Sequence, residues 1–385
     1  MVASNVSADI PVMDVDTHYN EPHDLWTSRA PARFRDRAPR VESVNGTDMW
    51  VAERDAVLFP FSGVCVIRGD GSKFYGGLSL GDFDEMHPGA TDPKARLAWM
   101  DAQGIQAQVI YPNLIGFAVE AFLTRIEDEE LRAFCIRAWN DYMGEVQEIG
   151  GGRLFPQALL PFWDPELSVR EAIRAHEELG MTGLNVPSGA DAYGLPSLSH
   201  PAYDPLWEVA QDKDMSINFH IGGGGVNVSP WDMVSESAHN AALSTLSISA
   251  NVRCLTNLIF SGVLDRFPRL NFVSVESGVG WIPFLIELCE YQCDENLVKG
   301  LELRPAEYFR RQIYASYWFE SDPIPAIEKL GADNVMFETD FPHPTCLYPG
   351  IRDHIEKSLG AVSREIQRKV LCENAARVYH IPVPS

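Results

Sequence analysis

The sequence predicts an α/β fold: a closed (β/α)8 TIM barrel with a long lid insertion after its first strand. Three observations predict it. Short apolar runs alternate with stretches of helical periodicity along most of the 385 residues. The runs are almost continuously apolar, as parallel strands buried on both faces are. Their polar exceptions fall at their carboxyl ends, where such a barrel carries its chemistry. A doubly wound open sheet would want a glycine-rich turn directly after the first strand, but "DTHYNEP" contains no glycine. The "GGGG" at 222–225 follows a strand but lacks the context of a dinucleotide fingerprint.

The elements follow in order. Residues 1–11 read as an N-terminal extension, and 12–385 as one barrel domain opening on the strand "MDVDTH". Residues 22–93 show little helical periodicity and are expected to form a lid over the site. Regular alternation then begins. The helix "PKARLAWMDAQGI" leads to "QAQVIYPN", and a helical stretch over roughly 119–149 leads to "RLFPQALLPFW". "PELSVREAIRAHEELG" precedes "MTGLNVPS", and "DPLWEVAQDKD" precedes "MSINFHIG". "NLIFSGVLDRFP" precedes "LNFVSVESG", "PAEYFRRQ" precedes "IYASYWFE", and "DPIPAIEKLGAD" precedes "NVMFETDFPH". With the opening strand this makes eight strands, enough to close a barrel.

Composition narrows the function classes. The formal charge of −23 comes without a dense Lys/Arg cluster, which argues against nucleic acid as a partner. No run of apolar residues is long enough to suggest a membrane span. Seven scattered cysteines without zinc-ribbon spacing read as reduced thiols, and a cytoplasmic location is expected. The apolar helix in "WIPFLIELCEYQCDENL" suits either the barrel wall or a second copy, which leaves a homodimer open.

The strand ends carry the candidate site. Alternation along the first strand puts Asp14, Asp16 and His18 on one face, with Asp16 and His18 as adjacent inward ligands. His220 ends the fifth strand, Glu276 the sixth and Asp340 the eighth, with His343 just beyond. Acids and imidazoles gathered without matching Lys or Arg call for a cation among them. The donor set suits one or two divalent transition ions: iron, manganese or zinc. Each residue has a plainer alternative. Asp14 anchors the strand or supports a ligand, and a lone His220 would be a satisfied core histidine. Glu276 is either a ligand or a buried acceptor for the turn after it. Asp340 is a ligand or a turn residue before proline, and His343 supports or catalyses. His87 in the lid is within conceivable reach.

"DVDTHYNEP", "DPLWEVA" leading to "NFHIG", "ESGVGWIPF" and "ETDFPHP" resemble the second amidohydrolase family, which includes aminocarboxymuconate-semialdehyde and hydroxybenzoate decarboxylases. The resemblance covers about residues 12–380 apart from the lid. It implies a metal held by Asp16, His18, His220 and Asp340 on a (β/α)8 barrel. Decarboxylase relatives commonly carry a histidine on the sixth strand, where this chain has Glu276. The expected activity is metal-dependent decarboxylation or hydrolysis of a small or bulky apolar organic acid, with Glu276 or His343 moving the proton. A second reading lets Glu276 bridge two irons, giving a non-heme monooxygenase of an apolar terpenoid or aromatic substrate, similar to iron-dependent monooxygenases of the superfamily. The lid aromatics Trp26, Trp50, Phe59, Phe61, Phe74 and Tyr75, with Tyr111, Trp163, Tyr317 and Trp318, would then enclose the substrate or simply pack. A third is a non-catalytic metal-binding barrel.

Overall fold

The computed structural model describes residues 6, 9–54, 56–59, 63–113, 120–222 and 232–383. Residues 223–225 of the glycine run and Phe61 lie outside them. The main sheet runs β6–β5–β1–β12–β11–β10–β9–β8–β7, all parallel: β1 (Val12–Tyr19), β5 (Ile105–Pro112), β6 (Leu154–Pro156), β7 (Ala158–Leu159), β8 (Gly183–Pro187), β9 (Ser216–His220), β10 (Phe272–Val275), β11 (Ile313–Tyr317) and β12 (Val335–Phe337). The two ends of this order are one stretch of chain. β6 and β7 are separated only by Gln157, with β6 pairing β5 and β7 pairing β8, so the sheet closes on itself as the eight-strand reading predicted.

Gln157 makes the interruption useful. Its side chain accepts from Asn218 Nδ2 at 2.8 Å inside the wall. The space it fills belongs to Gly183, where a Cβ would lie 1.9 Å from Gln157 Oε1, so only glycine fits there. Helices cover the outside. The interior forms its own apolar cluster, in which Met13, Val15, Val109, Val273 and Met336 meet Ala375, Val378 and Tyr379 from the C-terminal helix Asn374–Tyr379. That helix closes the end opposite the strand carboxyl termini.

The first strand departs from simple alternation. Against β5, Asp14 faces Gln108 and Thr17 faces Ile110, so three steps of β1 match two of β5. This bulge turns the strand over. Met13 and Val15 point into the barrel, and Asp14 points outward, away from Asp16 and His18. The expectation of one shared face for residues 14, 16 and 18 is corrected by that extra residue.

The insertion is also more regular than its sequence suggested. It forms a three-stranded antiparallel sheet, β2 (Arg40–Val44), β3 (Thr47–Ala52) and β4 (Ala56–Phe59). Asn45 and Gly46 make the first turn with φ of 54° and 83°, the doubly left-handed geometry that an Asn-Gly pair favours in a two-residue hairpin. Trp26 and Trp50 are buried there edge to face at 5.1 Å, so these aromatics pack. Farther along, Val66 N donates to Pro342 O at 3.2 Å and Phe74 N to Val66 O at 2.7 Å, seating this part on the loop after β12. At the other terminus of the chain, Val6 and Ile10 are buried. No helix among the described residues is long and apolar enough to cross a membrane.

Candidate metal centre

Six of the residues singled out from the sequence converge at the carboxyl ends of the strands. Asp16 and His18 arrive from β1, His220 from the last position of β9, Glu276 directly after β10, and Asp340 and His343 from the chain after β12. One ligand atom each from Asp16, His18, His220 and Glu276 lies within 4.8 Å of the others, and the same holds for His18, Glu276, Asp340 and His343. Asp16 Oδ1 is 3.4 Å from both His18 Nε2 and His220 Nε2. His220 Nε2 is 3.2 Å from Glu276 Oε2, and His18 Nε2 is 3.3 Å from Asp340 Oδ1. Donors bound at about 2.1 Å to one ion stand roughly 3.0–3.4 Å apart, which is the spacing seen.

The backbone aims the imidazoles. His18 Nδ1 lies 2.8 Å from Pro112 O and His220 Nδ1 lies 2.7 Å from Ile221 O. A proton on each Nδ1 donates to its carbonyl and leaves the Nε2 lone pair directed at the cluster, the arrangement that orients metal-binding histidines. His343 stacks on His18 with ring centroids 3.6 Å apart, and its Nδ1 is 3.0 Å from Asp340 Oδ1. Tyr111, 5.3 Å from the His220 ring, lies beside this group. Glu276 and Asp340 both hold left-handed backbone, with φ of 50° and 60°. Such conformations in residues other than glycine persist where surrounding structure enforces them, and they gather at functional sites.

Electrostatics explain why these groups need a cation. Burial pushes the Asp16 carboxyl well above the usual carboxylate range, and the charges of Asp340 and Asp14 add to it. Burial acts on Glu276 in the same way, joined by Asp340, Asp16 and Glu338. Burial holds the His18 imidazole down at about 3, reinforced by His343, and the His220 imidazole at about 4. Burial also raises Asp340, but the His343 and His18 imidazoles outweigh it and leave that carboxyl below its ordinary range. Both Asp16 oxygens are buried without a hydrogen-bond partner. A buried carboxylate with no donor is costly unless a cation meets it, and the oxygen and imidazole nitrogen donors here fit a divalent transition ion.

Asp14 shows the opposite environment. Its carboxylate accepts from Thr339 N at 2.8 Å, Thr339 Oγ1 at 2.6 Å and Gln108 Nε2 at 2.9 Å. Gln108 in turn accepts from the buried Arg96, which also donates to His18 O at 2.6 Å. Asp14 therefore ties the strand that carries Asp16 and His18 to the chain that carries Asp340.

Sequence reading passed over Glu338. It is fully buried, accepts from Ser316 Oγ and from Glu276 N at 3.2 Å, and shares the "ETD" triplet with Asp340. The two-residue spacing from Asp340 was the available signal. Glu320 was also missed. Its carboxylate accepts from Val279 N at 2.6 Å and Trp318 N at 2.8 Å, joining the turns after β10 and β11. Gly278 permits this, since a Cβ there would sit 2.4 Å from Glu320 Oε1 and its φ is +67°. His87 accepts from Gly89 N at 3.0 Å and packs edge-on against Phe341, outside both ligand groups.

A cavity of about 690 Å³ opens over Glu276 and His343. Its other described walls include Leu78 from the insertion, Ile221, Leu243, Ile248 and Trp318, and no Lys or Arg is among its described lining residues.

A closed parallel barrel with acid and imidazole donors at one mouth defines a metal-dependent enzyme class. The amidohydrolase family profile matches residues 13–381, and the chain belongs to the amidohydrolase family. The gamma-resorcylate decarboxylase of Polaromonas sp. (strain JS666 / ATCC BAA-500) is 28% identical over 261 residues, covering 64% of this chain and 76% of that one. The crystal structure of an amidohydrolase from Mycobacterium avium subsp. paratuberculosis K-10 superimposes with a TM-score of 0.75 at 23% identity, covering 96% of this chain and 99% of that one. A dihydroxybenzoic acid decarboxylase from Polaromonas sp. JS666, solved with bound manganese and the inhibitor 2-nitroresorcinol, superimposes with a TM-score of 0.60 at 19% identity, covering 96% and 97%.

Proposed function

We propose that the chain is a metal-dependent decarboxylase of a hydroxylated aromatic acid. The observation that carries this reading is the placement of Glu276 and His343 on the wall of the cavity, directly beside the buried donors Asp16, His18, His220 and Asp340. The decarboxylase relatives favour lyase chemistry over the hydrolase and monooxygenase alternatives. With Nδ1 of His18 engaged by Pro112 O, one ring nitrogen is left for an ion, which favours a single ion shared by the two groups. Manganese is the first choice, for a donor set that mixes carboxylate oxygens with imidazole nitrogens and for the metal seen in the related decarboxylase.

When bound, the ion supplies positive charge for the substrate carboxylate and hydroxyl, a role no Lys or Arg among the described cavity residues fills. The chain's own residues do the rest. Ile221 and Trp318, on the same wall as Glu276 and His343, exclude water and hold the ring. Breaking the bond between ring and carboxylate leaves an electron pair on the ring carbon, which takes a proton as carbon dioxide departs. His343, on the cavity wall and held by Asp340, is the group placed to deliver it, with Glu276 beside it on the same wall.

The test incubates manganese-loaded protein with 2,6-dihydroxybenzoate and 5-carboxyvanillate, with and without oxygen. Equal carbon dioxide release in both atmospheres is expected. Turnover that requires oxygen, or hydrolysis of an ester or amide in its place, overturns the proposal.

A further inference from the structure

The cavity is built for more than a single ring. Glu276, His343 and Thr345, which donates to Asp340 Oδ2 at 2.7 Å, mark its metal end, and Leu78, Leu243, Ile248 and Phe319 supply apolar walls. One wall is the first half of the helix Glu236–Phe260, which contributes Leu243, Ser244, Thr245, Ser247 and Ile248 from two successive turns. Ala250, Asn251, Cys254, Leu255, Leu258 and Ile259 of the second half are buried, whereas none of residues 236–249 is. Ser244, Thr245 and Ser247, three of the five lining positions, leave room that larger side chains would fill. Leu78 and Phe319, from two other elements, remain 41% and 60% exposed at the same opening. Apolar groups left open around a cleft mark a place where a ligand's apolar surface completes the packing.

Clefts of roughly 300–1,000 Å³ hold drug-sized ligands. A hydroxybenzoate of about ten heavy atoms is far smaller than that class, so it leaves most of the 690 Å³ unfilled. We infer that the substrate is an aromatic acid bearing an extended apolar substituent, its acid group at the metal end and its apolar body along the helix wall of Leu243, Ser244, Thr245, Ser247 and Ile248. This rests on the decarboxylase reading for the head group alone; the body site stands on the cavity.

The probe is a set of 6-alkylsalicylates with chains of one, four and eight carbons. Binding to the manganese-loaded protein is measured by calorimetry and carbon dioxide release is measured separately. Affinity is expected to rise about three- to fourfold per added methylene until the chain fills the cleft. Ser247→Trp, at a half-buried position, and Leu78→Asp, on a different element, are each expected to flatten that rise. A flat response in the unaltered protein, or a rise that both variants leave unchanged, overturns the inference and leaves the decarboxylase reading standing. A steep rise that both variants flatten, without carbon dioxide from any member, supports the body site and overturns the decarboxylase reading.

Discussion

Asp14 and Asp16 stand two residues apart on one strand, equally buried, in opposite circumstances. The outward Asp14 receives three hydrogen bonds of 2.9 Å or less from Thr339 and Gln108. The inward Asp16 receives none at either oxygen. A protein interior admits a carboxylate by surrounding it with donors or by setting a cation against it, and this strand does one on each side. The bulge between Asp14 and Thr17 makes both solutions available to one short segment.

Removing the unsatisfied partner is the most direct way to break the comparison. Asp16→Asn is expected to lower metal affinity by more than the roughly 100-fold commanded by a supporting residue and to abolish carbon dioxide release, with the fold retained. Elemental analysis after gel filtration checks it; full metal occupancy in the variant would show that Asp16 is not a ligand. Asp14→Ala acts on the other side. It leaves Thr339 N, Thr339 Oγ1 and Gln108 Nε2 without their acceptor, so we expect about 2–3 kcal/mol of lost stability and a 10- to 100-fold drop in metal affinity. Urea unfolding and metal titration read the two effects, and a loss of stability with unchanged affinity would confine Asp14 to the fold.

A smaller effect sharpens the contrast. Carboxyls at Asp16 and Glu276 that burial raises hold protons in the metal-free protein at pH values where exposed acids have lost them. An ion must displace those protons, so affinity should fall as pH is lowered, and binding at pH 7 should release protons. His18 and His220, with pKa values held down, are already neutral there and release none. Calorimetry in two buffers of different ionisation enthalpy counts the protons, and Glu276→Gln is expected to reduce the count. Binding without proton release would contradict this account of the site.

The barrel and the convergence of six side chains were legible because burial on both faces makes strands apolar, so acids and imidazoles at their ends stand out. The orientation of Asp14 was not legible, since alternation assumes an unbroken pleat and a bulge adds one residue without changing the residue types. The hairpin in the insertion was available in "VNGT", an Asn-Gly pair between β-forming residues, but charged residues on its exposed face masked the alternation. Glu338 escaped notice beside Asp340, and Glu320 sits in a turn whose geometry depends on contacts distant in sequence. The family resemblance carried the ligand set, and the profile match supports the family itself.

The left-handed backbone at Glu276 and Asp340 has a consequence for anyone engineering this barrel. Glycine adopts that conformation without the steric penalty of a side chain, a relief of about 1 kcal/mol at each position. A library sorted for heat tolerance alone will therefore enrich glycine at 276, where burial also works against the carboxyl, yielding robust barrels with an altered mouth, but not at 340, where glycine would lose the contacts of Asp340 with Thr345 and His343. Thermal selection and turnover have to be scored on the same clones.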